Sequence, residues 1–261
     1  MFQNVKSTYI LGLILKKYLT KKTYLLLAKN NKSLQKALNL SLIDYKKYSN
    51  QIEIDLIPID KEKIKEEKNI FINYEEENKN FFHIYFNNET KEVDRNYLIK
   101  DDNIEKIKIF IDENIKSIKG LFQNCSCLKE INFLKFNRKD FTDISNIFNG
   151  CESLIKLNIS KLKTETAIYM TNMFKNCFYL KEINISNFNI QNVTNMSNMF
   201  YNCRSLINLD ISCFNFCKNI SMVYMFSGCS KQLKDAITKQ NVNIKGEAFF
   251  EAYSPALYPN D

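Results

Sequence analysis

The stretch that decides the fold reads Asn195-Met-Ser-Asn-Met-Phe-Tyr-Asn-Cys-Arg-Ser-Leu-Ile-Asn-Leu-Asp-Ile-Ser212. Its F-x-x-C pair, Phe200 and Cys203, occurs five times in one phase, with a period of 26 residues. The repeated residues are Phe122, Phe148, Phe174, Phe200 and Phe226, together with Cys125, Cys151, Cys177, Cys203 and Cys229. Further apolar positions keep this period, so the sequence predicts stacked repeats that share one continuous core.

The spacing inside one repeat predicts its conformation. Leu180-Lys-Glu-Ile183-Asn-Ile185 has the L-x-x-L-x-L spacing of the strand segment of a leucine-rich repeat. Alternation places Ile183 and Ile185 toward the core and the residues between them outward. Residues 194–203 carry apolar side chains at helical spacing. We therefore expect an α/β fold: a right-handed leucine-rich-repeat solenoid of about five coils, each with a short parallel strand and a short helix.

This unit resembles the BspA-like leucine-rich repeat family, which is also found in mycoplasma lipoproteins and is expanded in protists. The quoted stretch, residues 195–212, is similar to the family consensus almost residue for residue, and the resemblance covers residues 118–230. It implies a binding role, because known members are mostly surface or adhesion-related proteins, or are uncharacterised. Two features depart from the pattern. Leu162 stands where Phe is usual, with a degenerate loop after it, and no export signal is visible.

The chain divides into three predicted parts. Residues 1–100 form a small α+β region that is basic and helical first and β-rich later, residues 101–231 form the solenoid, and residues 232–261 form a C-terminal helical cap and tail. The two ends of the solenoid carry their own signals. Residues 102–119 keep the period and are interpreted as a degenerate coil that begins the stack. Residues 232–240 are interpreted as a capping helix.

Three local patterns lie within the first hundred residues. Residues 8–48 carry helical anchors: Ile10, Leu13, Ile14, Leu25 to Leu27, Leu34 and Leu38. Residues 51–57 alternate as a half-buried strand does. Residues 81–86 and 91–96 are expected to pair as strands around Asn87-Asn88. The helical segment also weakly resembles an F-box, which would imply a substrate adaptor of a ubiquitin ligase.

Charge is concentrated at the start of the chain. The formal net charge is +8, and residues 1–50 contain ten lysines, no arginine and one acidic residue, Asp44. This asymmetry points to an acidic protein partner or an anionic surface, or to a solvated helix face. We expect no nucleic-acid partner, because base readout favours the arginine fork.

The N-terminal apolar residues do not match a targeting segment. The run from Tyr9 to Leu15 ends at Lys16 and Lys17 without a small-residue cleavage site. Four lysines interrupt the longer stretch to Leu27, so no transmembrane helix is expected. These features predict a cytoplasmic protein with free thiols, and a cell-surface or secreted protein is the alternative.

Catalytic and metal chemistry find little support in the residue pattern. Five of the eight cysteines belong to the repeat and are expected to form a buried ladder, which leaves Cys127, Cys213 and Cys217 without paired C-x-x-C spacing. His83 is the single histidine, so the sequence offers no histidine pair for a catalytic or metal site. Because nucleotide-binding and metalloprotease motifs are also missing, we expect no enzyme, no cofactor and no metal.

The outward residues of the predicted strands form the candidate partner-binding surface. They are Glu130, Asn132, Lys156, Asn158, Ser160, Glu182, Asn184, Ser186, Asn208, Asp210 and Ser212. Leucine-rich solenoids engage partners on this exposed, rigid face. The sequence thus favours a non-catalytic protein-protein interaction scaffold, with an F-box-like adaptor or an exported adhesin as alternatives. The column that contains Asn184 has a simpler interpretation as a solvated ladder.

Overall fold

The computed structural model describes residues 21–251 apart from Lys65, Cys213, Asn215, Cys217, Lys218, Asn241 and Val242. The chain consists of two compact units, residues 1–51 and residues 52–261. The second unit is a mixed α/β structure with one mixed five-stranded sheet and few helices. The predicted anchors Ile10, Leu13 and Ile14, the predicted tail after 251, Cys213 and Cys217 lie outside the described residues.

The described part of the first unit, from residue 21 onward, contains three short helices: α1 (Lys21–Ala28), α2 (Lys32–Ala37) and α3 (Leu42–Asn50). Their core is small and consists of Ala28, Leu34 and Leu38, with Leu40 packed against it. The helical character expected for this segment is confirmed from residue 21 onward. Of its predicted anchors, Leu25 is buried, whereas Leu26 and Leu27 are exposed.

The second unit opens with the five-stranded sheet. Its strands are β1 (Ile52–Pro58), β3 (Phe82–Phe86), β5 (Ile107–Ile111), β6 (Leu128–Lys135) and β7 (Lys156–Asn158), in the order β3-β5-β1-β6-β7. The strand predicted at 51–57 is therefore confirmed, and Ile52, Ile54 and Leu56 are fully buried. A two-stranded sheet pairs β2 (Asn69–Ile70) with β4 (Tyr97–Leu98), and short 3-10 turns occupy Lys61–Lys63 and Glu76–Phe81.

Two pairings expected from the sequence are wrong. β3 pairs with β5, and residues 91–96 form no strand, although Asn87 and Asn88 do have the positive φ of a turn. Residues 107–111 do not stack as a first coil on β6. Instead β1 lies between β5 and β6 and is antiparallel to both. The apolar residues of β5 keep the phase of the repeat, but β1, which precedes β5 in the chain, occupies the position next to β6.

Residues 26 apart lie in neighbouring layers from Gly120 onward. Alternate backbone N–H groups of one repeat donate to carbonyls of the next: Asn172 to Ser197, Phe174 to Met199 and Asn176 to Tyr201, at 2.8–3.0 Å. The strand side has a parallel β6–β7 pair, and farther along a single bridge joins Glu182 to Asn208. The segment around the F-x-x-C pair therefore carries the regular inter-repeat backbone ladder, and we call it the turn side.

The short helices expected in residues 194–203 and its equivalents are absent from the described residues, where turns take their place. Asn198 and Asn202 have φ values of 57° and 59°, and their equivalents in other repeats are also Asn or Gly, except Tyr224. A left-handed residue every fourth position is incompatible with an α-helix. The N–H groups that a helix would use internally are thus free to join the next repeat.

The repeated phenylalanines and cysteines pack as two buried ladders. Phe148 stacks on Phe174 with ring centroids 5.6 Å apart and planes 4° from parallel, and stacking continues from Phe122 to Phe226 and on to Phe249. Such aromatic pairs add about 0.5–1.5 kcal/mol each beyond burial. The Cys177 thiol lies 3.2 Å from the Phe148 carbonyl oxygen, and equivalent contacts recur along the ladder. The predicted burial of the cysteine ladder is confirmed.

Both ends of the turn-side ladder are closed by polar groups. At the front, the Asn73 backbone N–H donates to Leu121, and its side-chain amide donates to Gly120 and Gln123. At the back, Glu247 and Glu251 accept from N–H groups of the last repeat, beside a 3-10 turn at Gly246–Phe249. The helix predicted at residues 232–240 is present as α4 (Lys231–Gln240), which buries Leu233 and Ile237.

Candidate interaction site on the strand face

The outward side of the strand segments forms a groove of about 860 Å³, here called the strand-face groove. The side chains beneath it belong to the core: Ile131, Ile159, Ile183, Ile185, Leu209 and Ile211 are buried, as alternation predicts. All the predicted outward residues except Ser160 and Ser212 line the groove. Glu130 and Asn132 are half-buried, and the other predicted residues are exposed.

Side chains from neighbouring repeats touch along the groove. Lys156 Nζ lies 3.1 Å from Glu130 Oε1, and Asn158 Nδ2 donates to Asn132 Oδ1 at 2.7 Å. Both contacts join residues 26 apart. The groove therefore begins with a neutralised ion pair and an amide ladder. The ladder interpretation of the asparagine column is correct for this first pair.

The asparagine column also has a local structural role that the sequence pattern did not reveal. The side-chain oxygens of Asn158, Asn184 and Asp210 each accept a hydrogen bond from the backbone N–H two residues later, at 2.8–3.1 Å. These are Asx turns, which end each strand segment. The hydrogen bond from Ser212 lowers the pKa of Asp210, so this carboxylate is charged near neutral pH. Alanine in this column would remove a turn as well as a contact.

Apolar groups that the outward pattern omitted also line the groove. Ile155 and Ile207 are each 47% exposed and stand one residue before the predicted strand positions. At the far end, Ala236 and Gln240 of α4 form the wall. Gln240 joins α4 to the strand segment of the last repeat: its amide nitrogen donates to the Leu209 carbonyl, and its side-chain oxygen accepts from Ile211 N–H. A surface with exposed apolar groups beside polar ones suits macromolecular recognition.

The charge of the groove changes along its length. Glu130 and Lys156 neutralise each other, whereas Glu182 and Asp210 form no ion pair with any described residue. On the other side of β6, Asp55 of β1 lies opposite Asn132 in the sheet register and pairs with Lys106 at 2.6 Å. The sequence could not place Asp55 here, because nothing in the repeat indicates which N-terminal strand adjoins the stack.

Neither His83 nor any described cysteine lines this groove. Burial raises the pKa of every thiol in the repeated ladder, and that of Cys229 reaches about 12. His83 Nε2 lies 3.3 Å from Asp112 and Nδ1 lies 2.9 Å from Glu92. These two carboxylates, Asp112 first, raise the pKa of His83 to about 9 despite its partial burial. Within the described residues no group of three or more His, Cys, Asp or Glu side chains could hold a metal ion.

Comparison with known protein families finds a match for part of the chain. Residues 116–240 match the model of a family described as "Mycoplasma protein of unknown function, DUF285". The matched region ends at the last residue of α4, so it takes in both the stacked repeats and the helix that closes the groove. No curated protein and no solved structure gives a significant match. Among the residues that the structure covers, no helix is both long and apolar enough to cross a bilayer.

Proposed function

We propose that this chain is a non-catalytic protein-protein interaction scaffold: a BspA-like, right-handed leucine-rich-repeat solenoid that binds a protein partner on its strand face. The main support is the strand-face groove. It is lined by polar side chains of four successive repeats and by the exposed Ile155 and Ile207. The match to a mycoplasma family over the same residues supports the family part of the proposal. We place its site of action in the cytoplasm, which suits the free thiols of the ladder.

The turn side and the strand face differ in what their residues contact, and this difference supports the proposed function. The inter-repeat backbone ladder and the stacked rings lie on the turn side or in the core. Exposed groove side chains such as Glu182 are therefore free to serve recognition without holding the repeats together. A rigid, repetitive surface is pre-organised, which lowers the ordering cost of binding.

The test is a partner-binding measurement with a groove variant that spares the Asx turns. The variant combines Ile155→Glu, Glu182→Lys and Ile207→Glu, all at exposed positions. Partners captured with the full chain are identified by mass spectrometry and re-measured one by one as purified proteins. We expect the groove variant to lose affinity by at least tenfold, because a few central side chains dominate interface energies.

A matched control carries the same kinds of change outside the groove, Tyr169→Glu with Glu152→Lys, both exposed. It should bind as the unchanged chain does. Unchanged affinity of the groove variant, with circular dichroism showing that it is folded, would rule out the strand face as the binding surface.

A second candidate function, the F-box-like adaptor, is favoured by the first unit, which is a separate compact body of short helices. Its signature would be a ubiquitin-ligase subunit that is captured by the full chain and lost when residues 1–50 are deleted. If the same partners are recovered with and without those residues, this candidate is rejected.

The exported adhesin remains a third candidate, and it can be tested at sequons such as those of Asn158, Asn184 and Asn192. The side-chain nitrogens of Asn158 and Asn192 donate to Asn132 and Glu165. All three are exposed, and of the three only the side-chain nitrogen of Asn184 has no hydrogen-bond acceptor among the described residues. In a eukaryotic source cell, export predicts a mobility shift on deglycosylation that Asn184→Gln reduces. An unshifted band in that cell argues against export.

A further inference from the structure

The first unit displays apolar and basic side chains together on one face of α3. Leu42 is 88% exposed and Ile43 is 62% exposed. Lys46 and Lys47, one helical turn later, are also exposed. Positions three and four apart are neighbours on a helix surface, so these four side chains form one outward face. Tyr45 and Tyr48, on the other side of α3, are half-buried.

The five lysines of this unit whose side chains the structure describes pair with no described carboxylate. Lys29, Lys32, Lys36, Lys46 and Lys47 are exposed, and none forms an ion pair with a described residue. The only acid in residues 1–50, Asp44, is engaged in the capping box of α3, where it accepts from both the backbone and the hydroxyl of Ser41. Among the residues that the structure describes, these five lysines therefore face no carboxylate partner, and their charge is available to an anionic partner.

We propose that the outward face of α3, formed by Leu42, Ile43, Lys46 and Lys47, docks on an anionic lipid bilayer. Exposed leucine and isoleucine beside lysine is the chemistry of interfacial helices, whose apolar side chains enter the acyl boundary while cations meet the headgroups. Leu42 and Ile43 protrude at the start of the helix. A fluid lipid surface accommodates such a protrusion, whereas a folded acidic protein would need a matching cavity. Leu26 and Leu27 of α1, both more than half exposed, add apolar side chains of the same kind in this unit.

The experiment is vesicle co-sedimentation of the full chain, with phosphatidylcholine vesicles compared with mixed phosphatidylcholine and phosphatidylserine vesicles. We expect binding only to the anionic vesicles, and weakening as salt is raised. Lys46→Gln with Lys47→Gln should weaken partition by roughly twenty-five-fold, at about fivefold per lysine. Leu42→Ser with Ile43→Ser should weaken it by at least about tenfold, because two apolar side chains lose their burial in lipid.

Two matched controls make the same changes on the second unit. Lys231→Gln with Lys239→Gln removes two exposed lysines from α4, and Ile155→Ser with Ile207→Ser removes two exposed isoleucines. Both controls should bind vesicles as the unchanged chain does. All four changes lie at exposed positions, so circular dichroism and thermal melting should be unaltered.

Three results would overturn the proposal. One is equal weakening in the α3 and α4 lysine variants, which would indicate a net-charge effect. Another is full binding by the Leu42→Ser, Ile43→Ser variant, which would mean that no apolar insertion occurs. The third is binding of soluble polyglutamate without binding of anionic vesicles, which would identify the partner as an acidic protein surface. The strand-face function is independent of each of these outcomes.

Discussion

Gly150→Ala is the sharpest single test of how the repeats stack. Gly150 belongs to a turn-side column in which every residue has positive φ: Asn124, Gly150, Asn176, Asn202 and Gly228, at 59–76°. A Cβ at position 150 would lie 2.2 Å from Asn124 Oδ1 of the preceding repeat. Real Cβ contacts essentially never come this close, so Asn124 or the backbone must move.

Two costs add in this variant. Alanine in the left-handed region costs about 1–2 kcal/mol, and the overpacked contact costs about 1–3 kcal/mol more. We therefore expect a loss of about 2–5 kcal/mol in the free energy of unfolding. For a unit of this size each kcal/mol lowers Tm by about 2–4 °C, so the drop should be roughly 4–20 °C.

The assay is urea unfolding of four proteins: the unchanged chain, Gly150→Ala, Asn124→Gly, and the double variant. Because Asn124→Gly removes the obstructing amide and glycine tolerates positive φ, Gly150→Ala should cost only the conformational part in that background. A coupling free energy near zero between the two positions would refute the stacking contact. A Gly150→Ala variant as stable as the unchanged chain would refute the whole argument.

Three further predictions concern the core and the ends of the second unit. Cys177 in the native chain should resist iodoacetamide, because burial raises its pKa and shields the thiol; mass spectrometry after alkylation with and without urea measures this. Gln240→Ala should lose about 1–2 kcal/mol of unfolding free energy, because it leaves Ile211 N–H and the Leu209 carbonyl without their partner; urea unfolding measures it. The pKa of His83 is about 9 in the folded chain, above its ordinary 6.5, so its stabilisation is complete below pH about 6.5 and is lost as pH rises through about 9. Solvent screening of the exposed carboxylates limits this effect to about 1 kcal/mol, and Tm against pH should show it.

Each of these has its own control. Alkylation of Cys177 at equal rates in buffer and in urea would mean that the ladder is open. Lys239→Ala, an exposed neighbour of Gln240, should leave stability unchanged; an equal loss in both variants would assign the effect to helix α4 itself. The His83→Gln variant should lose the fall in Tm between pH 6.5 and 9, and an identical fall in that variant would assign the pH dependence to other groups.

The repeat itself could be predicted because the same residue types recur at the same positions of each 26-residue period. Phe174 and Cys177 recur every 26 residues, and their burial and the burial of Ile183 and Ile185 follow from that period. The conformation around them could not be predicted from apolar spacing alone. Residues 194–203 have helical spacing, yet the asparagines at 198 and 202 adopt positive φ. The Asn and Gly columns were visible in the sequence, and their four-residue separation was the signal against a helix.

No local sequence pattern predicts which strands pair with β1. β1 enters between β5 and β6, so Asp55 adjoins Asn132 although 77 positions separate them in the chain. Such a pairing is decided by tertiary packing rather than by the propensity of either strand. The same holds for the groove wall, because Gln240 reaches Leu209 and Ile211 only after α4 has folded over the end of the stack.

The bonds that hold the repeats together lie mostly away from the proposed recognition surface, and this bears on how the groove can vary. Regular backbone bonds between repeats run through the turn side, where Phe174 N–H meets the Met199 carbonyl and Phe200 N–H meets Met225. The strand side holds fewer of these bonds among the described residues, such as Ile155 to Lys129 and Ile207 to Lys181. Outward side chains there contribute to stacking through the Lys156–Glu130 and Asn158–Asn132 contacts. The Asx turns hold each strand segment locally. Substitutions at Glu182 or Ile207 should therefore alter binding while stability stays nearly constant, whereas changes in the Asn184 column disturb both.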